Sequence, residues 1–447
     1  MDKQEIKHEK MTTTPIPRLV WSLAIPTIIS MLISSIYNLT DTFFVGRLGT
    51  QSIAAVGIVI SVMALIQAFG FFFGHGAGNF ISRKLGSKET GAANQIGSIG
   101  FFLAFSFGIV FALVGIIFLE PLSLVLGSTP TILPYTKDYL RFILLAAPFM
   151  MSGLVLNNML RYQGNAMYGM VGMISGAVVN IGLDPLFIFG LGMGVSGAAL
   201  ATLSSQFVSF VVLLVMNEKS GVVKIRFSFF RPTVYFLKEI FRGGIPSLLR
   251  QSLASIAVVF LNTAAGAYGD VAIAALSIVG RVMMFCGMIM IGFAQGFQPV
   301  CGFNYGAKLY HRVREAFRYC NVVMLIFLIF GTVIFALFAP QIIAIFRPGD
   351  AEVIAIGTRA LRFQCISLVL GGFIALSNMM LQTMGMAAKA SLIASARQGL
   401  FYIPLVLILP KIFGLDGLLL TQVTSDILTF SIAVPLSVGV LKGLTKT

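Results

Sequence analysis

Two carboxylates stand where an apolar chain tolerates them least. Asp41 lies near the end of the first long apolar run, on one helical face with Tyr37 and Ser34. Asp184 lies in the stretch Asn180-Ile181-Gly182-Leu183-Asp184-Pro185-Leu186-Phe187-Ile188-Phe189, with Asn180 one turn away. A carboxylate at mid-bilayer costs roughly 2.5 to 3.5 kcal/mol to insert and faces protein or water rather than lipid. Ala198 and Thr202 share a face of the following apolar run at a similar depth. Three segments can thus bring two carboxylates, an amide and a hydroxyl to one level. Pro185 has no amide hydrogen, so the carbonyl of Ile181 loses its helical partner, and Pro26 does the same for Ser22. Freed carbonyls beside carboxylates suit a proton or a sodium ion, because hard cations take oxygen ligands. The plainer alternative is a helix-packing hydrogen bond at Asp184 without a role in turnover. The grouping of Asp41, Asn180, Asp184 and Thr202 favours a cation-coupling site, whose two carboxylates would titrate as a unit.

The elements that must position these residues are membrane spans. Of 447 residues 57% are apolar and only 11% charged, and the mean hydropathy is +0.94. Soluble folds are excluded. The net charge of +15 comes from basic residues in short loops between apolar runs, which reads as topology rather than nucleic-acid binding. The first apolar run is too long for a signal-peptide core, so it stays as a span. Cys286, Cys301, Cys320 and Cys365 have no paired spacing and read as small hydrophobes, with no disulfide, haem or other cofactor expected.

With about 20 apolar residues needed per crossing, twelve spans are expected: 15–44, 52–79, 93–118, 135–157, 167–189, 193–216, 236–262, 272–299, 318–340, 357–380, 389–410 and 415–440. Most of the 31 basic residues then fall on the side of the N-terminus. Positive-inside therefore puts both termini in the cytoplasm.

An internal repeat organises the spans. A shift of about 220 residues aligns Pro26 with Pro246, Gly46 with Gly266, Gly49 with Gly269 and Ile53-Ala54-Ala55 with Ile273-Ala274-Ala275. It goes on to align Gly76 with Gly296, Gly86 with Gly306, Lys88 with Lys308 and, one residue later, Asn157 with Asn378. The fold expected is an all-α polytopic membrane protein, twelve transmembrane helices in two parallel six-helix repeats around a central cavity. The divisions are a cytoplasmic tail (1–14), an N-lobe (15–216), a cytoplasmic linker (217–235), a C-lobe (236–440) and a second tail (441–447). Such duplicated bundles rock about a central site.

The second half reverses the charge bias. Arg250, Arg281 and Arg397 lie in or beside its spans, answered by Asp426; two expectations stand side by side, that Asp426 pairs with Arg281 or Arg250, or that these arginines line the cavity. The cluster Met283, Met284, Phe285, Met288 and Met290, and the run Phe71-Phe72-Phe73, are adaptable surfaces that mostly pack or face lipid. Met283, Met288 and Arg281 are expected on the cavity with Tyr37. His75, aligned with Gln295, reads as a polar residue at the membrane interface.

The chain resembles the multidrug and toxic compound extrusion (MATE) family over nearly its whole length. The resemblance rests on the twelve spans, the parallel repeats, Pro26, the Asp41 to Gly49 segment DTFFVGRLG and the Asn180 to Pro185 stretch. The acidic N-lobe is similar to the DinF-like prokaryotic branch; the mid-span acids that the NorM-like branch carries on its seventh and tenth helices are absent. The resemblance implies proton- or sodium-coupled efflux of amphipathic, mostly cationic compounds across a prokaryotic plasma membrane. It also implies an N-lobe cavity site at Asp41, Asn180, Asp184 and Thr202, with the Ala198 carbonyl as a ligand and Asn157 in its polar set. A monomer in contact with membrane lipid is expected, with no nucleic-acid partner. The rival within transport is a lipid-linked oligosaccharide flippase, against which the acidic N-lobe argues. An intramembrane enzyme would need an HExxH, GxSxG or DDxxD-type cluster, and none is present.

Overall fold

The computed structural model describes residues 3–444, the side chains of 38 and 39 excepted, and is helical almost throughout, with no strand among the described residues. Met1, Asp2 and 445–447 of the expected tails lie outside the described residues. The first lobe comprises α2 (Ile16–Gly46), α3 (Thr50–Gly86), α4 (Thr90–Ile117), the short α5 (Leu119–Val125), α6 (Leu133–Tyr162), α7 (Ala166–Pro185) and α8 (Gly194–Ser220). The second repeats the order with α9 (Val234–Gly266), α10 (Asp270–Gly306), α11 (Tyr310–Leu337), the short α12 (Ala339–Phe346), α13 (Ala351–Thr383), α14 (Ala387–Ser395) and α15 (Tyr402–Gly443). Ahead of both, the polar segment expected as a tail forms α1 (Lys3–Thr13), which buries Met11 and Thr12.

Among the described residues eleven unbroken helical stretches are long and apolar enough to cross a membrane. The last, Ala387–Gly443, runs 57 residues. At 1.5 Å per residue that is far more than a bilayer's ~30 Å core. It breaks at Gly414, whose φ of 60° and ψ of −141° leave helical space, so it supplies two crossings and the total is twelve. Helices with apolar residues on every side bury against each other and lipid rather than against one core face.

The repeat is visible at atomic detail. Lys88 and Lys308 end α3 and α10 in left-handed backbone (φ 62° and 60°). Each is followed by the same helix-closing bond, Glu89 N–H to Lys84 O and Leu309 N–H to Asn304 O, both 2.8 Å. Asn157 donates to the Gly169 carbonyl at 3.1 Å and Asn378 to the Ala390 carbonyl at 2.6 Å, each twelve residues on. The two lobes meet by matching crossings, α3 on α9 and α10 on α2. A Cβ on Gly243 of α9 would lie 2.9 Å from Gly76 Cα, and one on Gly292 of α10 would lie 2.8 Å from Ile28 Cα. At the centre the approach is reciprocal: Gly86 sits on the Phe303 carbonyl and Gly306 on the Arg83 carbonyl.

These interlobe crossings lie in the half of the molecule that carries the chain ends. There the last turns of α3 and α10, which run seven residues past the expected ends at 79 and 299, close against one another. Polar residues such as Ser82 and Asn304 end an apolar window, yet both are fully buried, Ser82 against Gly302 of the other lobe and Asn304 under the Met11 carbonyl of α1.

Candidate functional site

α2, α6, α7 and α8 deliver the acidic cluster. Asp41, in the last turns of α2, is 7% exposed and accepts from the Tyr139 hydroxyl of α6 through Oδ2 at 3.2 Å. Its Oδ1 is buried without a hydrogen-bond partner. Asp184, on α7, is wholly buried; Oδ1 accepts from Asn180 Nδ2 at 3.3 Å, while Oδ2 and Asn180 Oδ1 have no partner. Three oxygen acceptors are thus left unsatisfied in neighbouring positions, an arrangement that costs free energy unless a proton or cation fills it. Among the described residues no basic side chain pairs with either carboxylate. Tyr37, one turn before Asp41, lies within electrostatic reach of both carboxylates with Gln206 beside it, and Thr202, nearly fully buried on α8, stands beside Tyr139. Ala198 is fully buried one turn before Thr202.

The backbone departs from α geometry next to this cluster. After Pro185 the chain widens into a π-helical turn, Leu186–Gly190, which packs under Gly197 at the start of α8. Pro185 cannot donate to Ile181, and the wide turn takes up the lost register. Pro26 behaves differently. α2 continues through it as one 31-residue helix, and the Ser30 hydroxyl donates to its carbonyl at 2.8 Å. The second lobe has its own π-helical turn at Ala396–Leu400, ahead of Pro404 rather than after it.

Beneath the acidic cluster a cavity of about 1130 Å³, mouth included, opens between the lobes. Tyr37, Asn157 and Met288 line it, together with Phe71, Gln295 and Arg250. Asn157 reaches it because the cavity extends well toward the sealed half. Met283 packs against the apolar core instead, and Arg281 is exposed on the outer part of α10, so neither lines the cavity.

Two further expectations are corrected. Asp426 pairs with neither Arg250 nor Arg281. It accepts from Arg397 Nε at 2.8 Å and Nη2 at 3.2 Å, from Gln422 at 3.1 Å and from Ser367. The π-helical turn that carries Arg397 swings the guanidinium onto α15, which straight-helix spacing does not anticipate. His75 is not at the membrane interface but fully buried between the lobes. Its Nε2 lies 3.2 Å from Arg161 Nη2, and its Nδ1 lies 3.1 Å from Ser247 Oγ and 3.2 Å from the Phe71 carbonyl. A guanidinium only donates, so Nε2 accepts and the proton sits on Nδ1. Arg161 also donates to Asn158 at 2.5 Å and to Gln295, the repeat-mate of His75.

Tyr139 and Gln206 escaped the sequence reading. Tyr139 follows Lys137-Asp138, which reads as a solvated edge, and only its place one turn inside the apolar run marks it.

A MatE family model matches residues 26–186 and 246–408, the same 220-residue shift as the repeat. Multidrug export protein MepA of Staphylococcus haemolyticus is 30% identical over 399 residues, 89% of this chain and 87% of that protein. MepA of Staphylococcus aureus strain MSSA476 is 30% identical over 421 residues, 94% and 92%. A structure described as the outward-facing conformation of a multidrug resistance MATE family transporter superposes with a TM-score of 0.91 at 27% identity, covering 98% of both chains. In fold, in repeat and in the residues of both halves, the chain belongs to the MATE family of membrane transporters.

Proposed function

We propose that this protein is an antiporter that exports amphipathic, mostly cationic compounds from the cytoplasm, with both chain ends on the cytoplasmic side, driven by protons or sodium. The observation that carries the coupling is the pair of buried carboxylates, Asp41 and Asp184, each with one unsatisfied oxygen and no basic partner. Asp41, Asn180, Asp184 and Thr202 would take the ion, with the Ala198 carbonyl as a further ligand. Tyr37 lies within electrostatic reach of the acidic cluster and lines the cavity, so it can pass the state of the carboxylates to a bound compound. Alternating access follows from a seal on one half only. The similarity to a structure described as outward-facing supports reading the present arrangement as the one open to the outside.

Energetics bound the coupling. Exchange of one proton for one monovalent cation moves no net charge, so only the pH difference drives it, at about 1.4 kcal/mol, or tenfold accumulation, per unit. A second proton would add the membrane potential, about 2.3 kcal/mol per 100 mV. Two carboxylates permit either scheme. Ethidium transport into inverted proteoliposomes, under a pH gradient and then a sodium gradient, identifies the ion. Asp41→Asn and Asp184→Asn are each expected to abolish gradient-driven transport with expression retained; full transport in either variant would sink the assignment.

A further inference from the structure

Arg250 of α9 is the one formally charged side chain among the residues lining the cavity. Its hydrogen bonds go to neutral acceptors, Nη1 to Asn378 Oδ1 at 3.1 Å and Nη2 to Ser247 Oγ at 3.5 Å, the latter at the limit for such a bond. No carboxylate pairs with it among the described residues, whereas Arg83, Arg226, Arg359 and Arg397 each have one. Behind the cavity floor Arg161, 2% exposed, also lacks a carboxylate, and its Nε has no partner at all. Its hydrogen-bond partners are Asn158, Gln295 and His75, the last accepting in the uncharged form, and its guanidinium lies over the neutral Tyr162 ring, 5.2 Å from the centroid. Two guanidinium charges therefore sit together at the floor with no negative charge to balance them, while the carboxylates of the first lobe lie in the opposite half. Charge of one sign in a low-dielectric cleft focuses its field on whatever enters. A charge held at membrane depth without a partner is costly and marks function.

We infer that Arg250 is a specificity-determining residue that receives an acidic group, such as a carboxylate, on the transported compound. The guanidinium offers a planar fork that fits a carboxylate through two hydrogen bonds. Phe71, Met31 and Met288 line the same cavity and supply soft apolar surface for the ring system. The favoured substrates are then amphipathic organic cations that also carry an acid, their cationic end turned toward the acidic half. A purely cationic compound meets repulsion at the floor. This deepens the export reading and rests on it for the direction of transport, but not for binding.

The test uses two dyes that differ only at this group: rhodamine 6G, an ethyl ester, and rhodamine 19, the corresponding free acid. Binding to the purified protein in nanodiscs is read by fluorescence polarisation. The wild-type protein is expected to bind the acid at least as tightly as the ester. Arg250→Gln should raise the acid-to-ester Kd ratio tenfold or more, and Arg250→Lys, which keeps the charge without the fork, should raise it less. A wild-type preference for the ester, or an unmoved ratio in Arg250→Gln, would overturn the assignment. The wild-type ratio decides even where Arg250→Gln fails to fold. Dyes that bind with the expected ratio but are not moved by an ion gradient count against the export reading and leave Arg250 in place.

Discussion

At the scale of single residues the chain handles its intramembrane charges in two opposite ways. Asp426 is fully buried and surrounded by four donors, Arg397 Nε and Nη2, Gln422 and Ser367. Asp41 and Asp184 are nearly as buried yet keep an oxygen each unsatisfied. A closed ion pair holds structure, whereas an open carboxylate leaves an acceptor unmet, as the proposed coupling role requires. Removing one partner of a buried pair leaves the other uncompensated, at a cost of roughly 3 to 5 kcal/mol. Asp426→Ala is therefore expected to lower the thermal midpoint of the purified protein sharply, and Arg397→Met somewhat less, because the arginine side chain is 25% exposed. The double variant Arg397→Met with Asp426→Leu should lose less than the sum of the singles. Additive losses would mean that the pair does not hold the second lobe. The acidic residues were legible in the sequence because charge inside an apolar run is conspicuous. Their partners were not: Tyr139 and Arg397 owe their reach to helix packing and to a π-helical turn, neither of which shows in residue spacing.

At the scale of elements α1 is the unexpected piece. An isolated eleven-residue helix is marginal in water, so α1 exists by docking. Lys3, Gln4 and Lys7 donate to the carbonyls of Lys219, Val222 and Gly164 in the first lobe and its linker, at 3.1, 3.0 and 3.0 Å. At its far end the carbonyls of Met11 and Thr14 accept from Asn304 at 3.2 Å and Arg312 at 2.5 Å in the second lobe. The segment thus straps the lobes together on the sealed side. Burial, with Lys10 adding to it, pushes the Lys7 ammonium down to about 8 from an ordinary 10.5. The docked helix therefore binds its proton more weakly than the free one. Docking is weakest below pH 8, where both forms are charged, and strengthens as pH rises from 8 toward 10.5, about tenfold for each pH unit in that interval. A spin label at Glu9→Cys should lose mobility between about pH 8 and 10 and change little between about pH 6 and 7.5. Lys7→Gln should flatten that dependence; the same slope in the variant would rule Lys7 out. The spans themselves were legible because about twenty apolar residues have few alternatives in a bilayer. α1 was not, since its stability comes from carbonyls of loops distant in sequence.

At the scale of the whole molecule, duplication supplied two lobes, and glycine sets how closely they meet. The shift of about 220 residues could be read from paired glycines and prolines, but the partner of each glycine could not, because α3 crosses α9 and α10 crosses α2, while Gly86, Gly302 and Gly306 meet the repeat-mate of their own helix. In the alternating access proposed above this seal is the part that opens, and its strength would then set the balance between the two states. A methyl at Gly243 would stand 2.9 Å from Gly76 Cα and 3.0 Å from the Gly76 carbonyl oxygen, both of them backbone atoms that cannot rotate away. Overpacking of this kind costs typically about 1 to 3 kcal/mol, and only the sealed state bears it. Since about 1.4 kcal/mol is a factor of ten in an equilibrium, Gly243→Ala should shift the balance toward the state open at the chain ends by about fivefold to a hundredfold. Spin labels at Lys219→Cys and His311→Cys, exposed on the two lobes, would report it as a growing long-distance population in double electron–electron resonance, with the four native cysteines buried and silent. Gly287→Ala adds the same methyl where nothing lies within 4 Å and should leave the distribution as it is. An unmoved distribution in Gly243→Ala would mean that the closeness of α3 and α9 is not what keeps the chain-end half shut, and the control of access would then have to lie with α1 and the His75 to Arg161 network.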